Sequence, residues 1–363
     1  MSSPKNLVFR CDASVAIGTG HVMRCLALAH AWQDEGGRAV FAMGEITPAI
    51  EERLEREGMG FARLHAEVGC EEDARATAAL ARTKLASWVV IDGYRFNAGY
   101  QAALKEVDLK VLFVDDNGHA EHYSADIVLN QNVYAREALY QSRASHTKLL
   151  LGPRFAMLRR EFARWRGWKP EIPAVARKVL VTMGGSDPDN VTERVVQAIF
   201  AERDFEATVV VGGSNPHLPR LRDLITDHKG TVRLVENPDN MPGLIARADI
   251  AIAGAGTTSL EMCFLGLPFF LIVLADNQRP AAEELSRRNV AVHLGESATT
   301  DVSVIARELV RLATSAETRR SMSELGCALV DGRGTERVLQ ACRQAISGCD
   351  ARKARIRDDC GNS

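Results

Sequence analysis

The residues best able to do chemistry lie at the ends of apolar runs. His21 follows the loop Gly18-Thr19-Gly20 and opens a helical pattern, so its ring sits where a helix begins. The positive end of a helix disfavours an imidazolium. A neutral imidazole there can take a proton from water or a hydroxyl. The plainer alternative is a His that caps its own helix. Arg24, three residues on, shares that helix face. It is either a contact for an anion or a surface arginine. Asp12, Tyr94 and the pair Asp115-Asp116 each end a strand. Asp12 is placed to orient His21 or to bind a sugar hydroxyl. Tyr94 is placed to hydrogen-bond or stack on a substrate. One acidic pair without further ligands is poor ground for a metal, and helix capping suits Asp115-Asp116 better.

The second half carries glycine loops of the same kind. Gly254-Ala255-Gly256-Thr257-Thr258-Ser259-Leu260-Glu261 runs from an apolar strand pattern into a helical one. Glycines there let the backbone turn and approach a ligand closely. Free N–H groups at a helix start favour a phosphate. Glu261, one turn in, offers a carboxylate for the two hydroxyls of a ribose. The reading is a nucleoside-diphosphate site; the bland one is a tight strand-to-helix turn with a solvated Glu. Gly184-Gly185-Ser186-Asp187 repeats the strand–glycine–helix logic, to cradle a phosphate or lie under a base. Asn277-Gln278 follows the next strand, where side-chain amides can bind sugar hydroxyls or an N-acetyl group, or simply cap a helix. Gly18-x-Gly20 falls short of the dinucleotide fingerprint because Met23 replaces its third glycine. Glu45 after the second strand keeps a dehydrogenase open as an alternative.

The elements that must position these groups alternate along the chain. Strand patterns at 6–11, 38–43, 88–91, 111–114, 127–129 and 149–151 are separated by helical ones at 21–35, 50–57 and 71–85. The pattern breaks over 153–176, where Pro153, Pro170 and Pro173 sit among arginines with Trp165 and Trp168. It resumes with strands at 178–183, 207–211, 231–235, 248–253, 268–274 and 290–294, with helices between and after. Such alternation predicts parallel sheets with helices on both faces. The expected architecture is therefore α/β, with two Rossmann-like doubly wound domains and a cleft between them. The domains run over 1–152 and 177–347, joined by 153–176. The charged tail 348–363 lacks apolar periodicity and reads as disordered.

Composition narrows the classes. A net charge of −2 over 363 residues gives no general pull toward nucleic acid. No apolar run reaches the ~18 residues of a membrane span, and Arg10 and Asp12 interrupt anything like a signal peptide. A cytoplasmic location is expected. The 8 cysteines form no CxxC, so neither a zinc site nor a redox motif is read. No cofactor and no metal are expected. The chain should be a monomer, because two such sheets need no partner to bury them.

Taken together, the motifs resemble a known family. They are Gly18-x-Gly20-His21 with Met23-Arg-Cys-Leu-Ala-Leu-Ala29, Gly184-Gly-Ser-Asp-Pro-Asp-Asn190, Ala255-Gly-Thr-Thr-Ser-Leu-Glu261 with Gly266-Leu-Pro268, and Asp276-Asn-Gln278. The stretches Leu151 to Phe162 and Val330 to Val338 agree. The family is that of the pseudaminic-acid-pathway nucleotide-sugar hydrolases, within the two-domain GT-B glycosyltransferase superfamily. The resemblance covers residues 6 to about 346. It implies hydrolysis of a UDP-linked 2,4-diacetamido-2,4,6-trideoxy sugar, with UDP on the C-terminal half. His21 matches the general base. Asp12, Gly20, Arg24, Tyr94 and Asn277 fall on the sugar side. Gly184, Gly185, Gly256, Thr257, Thr258 and Glu261 fall on the UDP side, with Glu261 matching the ribose-binding Glu. Ala255 departs from the family, which often has glycine there. The alternatives are a glycosyltransferase with the same fold and a silent UDP-sugar-binding subunit.

Overall fold

The computed structural model describes residues 6–14, 17–185, 187–202, 204–213, 215–226 and 230–345. Ser186 and the tail read as disordered lie outside them. The N-terminal sheet contains β1 (Asn6–Cys11), β2 (Arg38–Met43), β3 (Gly60–Arg63), β4 (Ala86–Asp92), β5 (Val111–Val114), β6 (Ile127–Asn130) and β7 (Lys148–Leu151). The C-terminal sheet contains β8 (Lys178–Thr182), β9 (Glu206–Val211), β10 (Val232–Glu236), β11 (Ile250–Gly254), β12 (Phe269–Val273) and β13 (Ala291–Glu296). The strand orders are 3-2-1-4-5-6-7 and 10-9-8-11-12-13. Every pairing is parallel.

The sequence explains this choice. Residues of β5, β6, β11 and β12 are buried throughout. Strands covered on both faces read as continuous apolar runs rather than as alternation. Helices then cover each face, and each sheet carries two apolar cores. In both sheets the order reverses beside the first strand, between β1 and β4 and between β8 and β11. Ligands of open parallel sheets sit in the crevice beyond the strand carboxyl ends at such a reversal.

Three elements that the sequence reading passed over are β3, the helix Ala98–Glu106 and the helix Leu218–Thr226. A further difference concerns the last helix, 334–345. The sequence reading ran the C-terminal domain to 347, yet Val338, Leu339, Ala341 and Cys342 pack into the N-terminal core with Leu7 and Phe9. The chain crosses back to the first domain. The connection 153–176 spans both cores as well, with Met157 in the N-terminal one and Phe162 in the C-terminal one.

Candidate active site

A cleft of about 810 Å³ lies between the two sheets, lined by the loops after β1, β4, β8, β11 and β12. The two glycine loops face each other across it. A methyl group on Gly20 would come within 4.0 Å of the Thr257 hydroxyl, and one on Gly185 within 3.0 Å of the Thr19 hydroxyl. A methyl on Gly256 would meet nothing, so open space lies in front of that backbone. Behind it begins the helix Thr258–Leu265, which has no side-chain cap on its first turn. Its leading N–H groups are therefore available to an anion.

His21 enters the cleft from the first turn of the helix Gly20–Asp34. Its Nδ1 lies 2.6 Å from Asp92 Oδ1 at the end of β4. Because Asp92 can only accept, this contact calls for a proton on Nδ1 and leaves Nε2 as the ring's acceptor, although Arg24 Nη2 also lies 3.1 Å from Nδ1. Arg24 lies behind this pair. Its Nε and Nη2 each donate to Asp92 at 2.6 Å, and its Nη1 donates to both Asp116 oxygens at 2.9 and 2.7 Å. Burial opposes ionisation of Asp92, but the Arg24 and His21 charges outweigh it and hold the carboxyl well below the usual range. The buried trio Asp92, Arg24 and Asp116 thus carries one net negative charge, which is balanced when His21 gains a proton.

Tyr94 and Asn277 meet across the cleft. Asn277 Nδ2 donates to the Tyr94 hydroxyl at 3.0 Å, and that hydroxyl lies 3.4 Å from Asp116 Oδ2. The Tyr94 ring stands edge-on to His21 with centroids 4.9 Å apart. Burial, then the Asp116 charge, pushes the Tyr94 hydroxyl up to about 12, so it is protonated at neutral pH. On the C-terminal side, Glu261 lines the cleft and is 12% exposed. It accepts from Arg159 Nε at 3.0 Å. Burial pushes the Glu261 carboxyl up, against the pull of Arg159. Gly184, Gly185, Thr257 and Thr258 line the same wall.

Two residues read from sequence as substrate contacts sit differently. Asp12 does not line the cleft; its oxygens accept from Arg10 at 2.7 Å, Gly44 N at 2.7 Å and Glu45 N at 2.9 Å. The orienting carboxylate is Asp92. Arg24 is neither on the surface nor free for a substrate anion, because it is 4% exposed and spent on two carboxylates. Asp115 accepts from Asn117 N and Gly118 N in a turn, so it caps no helix, contrary to the expectation, because no helix follows β5. Asp116 instead faces the cleft. Asp92, Asp116, Asn132, Tyr134 and Arg159 were not singled out as contacts. Only the first two carried a signal, as acids at strand ends.

Comparison with known proteins bears on the fold. Residues 179–326 match the model of the glycosyltransferase family 28 C-terminal domain. A spore coat polysaccharide biosynthesis protein of Bacillus subtilis is 29% identical over 64% of this chain and 69% of its own. A UDP-2,4-diacetamido-2,4,6-trideoxy-beta-L-altropyranose hydrolase of Campylobacter jejuni is 24% identical over 79% of this chain and 98% of its own. The match to an uncharacterised protein of Methanocaldococcus jannaschii spans 58% of that protein's length. Among solved structures, MurG of Acinetobacter baumannii superposes with a TM-score of 0.61 at 14% identity, covering 94% of this chain and 100% of its own. The chain has the GT-B glycosyltransferase-like fold, and its C-terminal half resembles the C-terminal domain of family 28 glycosyltransferases.

Proposed function

We propose that this chain hydrolyses a UDP-linked 2,4-diacetamido-2,4,6-trideoxy sugar to UDP and the free sugar, on the way to an acidic sugar of the pseudaminic type. One observation carries the reading. An imidazole, fixed by a buried carboxylate, faces uncapped N–H groups across a cleft sized for a nucleotide sugar. The similarity to the Campylobacter hydrolase, which spans 98% of that protein and 79% of this chain, supports it.

His21 Nε2 takes a proton from water, and that water's oxygen bonds to the anomeric carbon. The bond from this carbon to the diphosphate oxygen breaks, and its electron pair leaves with UDP. Water arrives opposite the leaving group, so the anomeric centre inverts. The N–H groups of 256–258 meet the charge growing on the β-phosphate. Glu261 takes the ribose hydroxyls, with Gly184 and Gly185 along the nucleotide. Gly20, Tyr94 and Asn277 hold the sugar. Asp92 stabilises the imidazolium, as the carboxylate of a catalytic triad does.

The test is UDP release from this substrate with no acceptor and with EDTA present, followed by NMR for the anomer first formed. Inversion, and loss of turnover but not of UDP binding in His21→Ala, are expected. If UDP binds but release awaits an added acceptor, the chain is a transferase instead. The family 28 match makes that the second reading.

A further inference from the structure

Glu261, the residue proposed to take the ribose hydroxyls, does not stand alone. Arg159, on the connection between the domains, donates its Nε to Glu261 Oε1 at 3.0 Å, and its Nη2 lies 3.0 Å from the same oxygen. No described residue hydrogen-bonds to the other oxygen, Oε2, of this cleft-lining side chain. One edge of the guanidinium therefore occupies Oε1 and leaves Oε2 for a ligand.

Arg159 is itself fixed on its remaining side. Its Nη1 lies 2.9 Å from Glu161 Oε1. That oxygen is 3.8 Å from Arg53 Nη2, on the helix Pro48–Arg56 of the first domain. Arg53 Nε in turn donates to Glu57 at 2.6 Å. Alternating charges thus back the arginine from the N-terminal domain. Packing adds a second restraint. The guanidinium carbon of Arg159 stands 5.5 Å from the centroid of the Phe162 ring, and Phe162 meets Phe264 with centroids 6.2 Å apart. Arg159 and Phe162 have the same spacing on the connection as Glu261 and Phe264 have on the helix Thr258–Leu265. The two segments therefore run side by side, one pair of contacts after the other. All three guanidinium nitrogens face carboxylates, and the side chain is 11% exposed. Arg159 then acts on a ligand through Glu261.

We infer that Arg159 is a positioning residue for the nucleotide: by holding Oε1 of Glu261 it turns Oε2 to the ribose hydroxyls and makes the site select ribonucleotides over deoxyribonucleotides. Groups that bind a ligand must be held in place by neighbours whose own geometry is locked. Charge works in the same direction. Burial pushes the Glu261 carboxyl up, Arg159 is the largest pull against it, Glu161 adds to the rise and Arg53 opposes it more weakly. A carboxyl that gains a proton loses acceptor capacity, so the hydroxyls would lose their partner. This inference rests on the reading of Glu261 as the ribose contact, and not on hydrolysis.

Calorimetry on the full chain tests it by comparing UDP with 2′,3′-dideoxyuridine diphosphate. The wild type is expected to prefer UDP by about ten- to a hundredfold. Arg159→Met keeps an unbranched stem beside Phe162. It should erase most of that preference and leave the affinity for the dideoxy nucleotide unchanged. Arg159→Lys keeps the charge without the fork and should retain part of the preference. It carries the test by itself if circular dichroism shows the methionine variant misfolded. Equal weakening of both nucleotides in a folded variant, or an undiminished preference, overturns the inference. If Glu261→Gln loses the preference while Arg159→Met keeps it, the inference alone falls. If the wild type binds the two nucleotides equally, or binds neither, the Glu261 reading falls and takes the inference with it.

Discussion

Asp92→Asn is the sharpest test of the chemistry, because it alters a charge and leaves the shape. Asp92 is 1% exposed, lies behind His21 and cannot touch the substrate. In the wild type, proton capture by His21 brings the cluster of His21, Asp92, Arg24 and Asp116 to neutrality. In the variant the same step leaves it at +1, with the imidazolium beside Arg24. Two unit charges about 4 Å apart interact by about 4 kcal/mol at an effective dielectric of about 20. Each ~1.4 kcal/mol is a factor of ten in rate. The expected fall in kcat is therefore about a thousandfold, with little change in KM. Arg24 keeps Asp116, so the stability cost is that of weakening one buried hydrogen-bonded partner, about 1–3 kcal/mol. The assay is coupled detection of released UDP, with calorimetry for UDP binding and circular dichroism for the fold. A fall smaller than about tenfold, with binding and fold intact, would refute the argument that Asp92 holds and charges the base.

Other outcomes follow from the same geometry. Glu261→Gln should weaken UDP about ten- to a hundredfold by calorimetry and leave 2′,3′-dideoxyuridine diphosphate unaffected, since the ribose hydroxyls are its partners. Gly256→Ala should melt as wild type does yet bind UDP poorly, because the methyl enters only the open space before the backbone. Gly212→Ala should lower stability instead, because its methyl would lie 2.5 Å from the Gly185 carbonyl oxygen and force the loop to move. Asp126 is held below the usual carboxylate range, against burial, by hydrogen bonds from Lys105 and Lys110. A depressed carboxyl stabilises the fold above its unfolded value of about 3.9 and loses that as pH falls through its folded value. Asp126→Asn should therefore destabilise at pH 7, and urea titrations should show the gap narrowing below about pH 4.

How much of this was legible in the sequence depends on the range of the forces involved. The alternation of apolar runs fixes strands and helices locally, and the glycine loops mark strand ends, so the two doubly wound halves and the facing loops could be read. The missed β3 has no fully buried residue, its pattern being half-buried and exposed, so its apolar signal is faint. The helix Leu218–Thr226 carries Leu218, Leu221, Leu224 and Ile225 at helical spacing, all packed on the C-terminal core, so it was legible and was passed over. The return of the last helix to the first domain leaves no mark in composition, because an apolar helix face reads the same whichever core receives it.

The site shows the harder limit. His21 and Arg24 share a helix face, which spacing reveals. Their partners Asp92 and Asp116 come from strands much later in the chain, 68 and 92 positions beyond Arg24. Strand order decides which acid meets them. β1 pairs with β2 on one side and β4 on the other, and Cys11 stands opposite Asp92 in that register. Asp12, one residue further on, is drawn toward β2, where the backbone N–H groups of Gly44 and Glu45 capture it. Had β2 and β4 exchanged places, Asp12 would have neighboured a different set of donors, and no local pattern would have changed. Sequence proximity thus suggested Asp12 as the residue that orients His21, and sheet topology delivered Asp92. The same reasoning explains Arg24. A lone arginine on a helix is ordinarily solvated, and its burial here is affordable only because two carboxylates from separate strand ends converge on it. The charge balance around His21 is a property of the strand order, and it becomes visible only once the sheet is assembled.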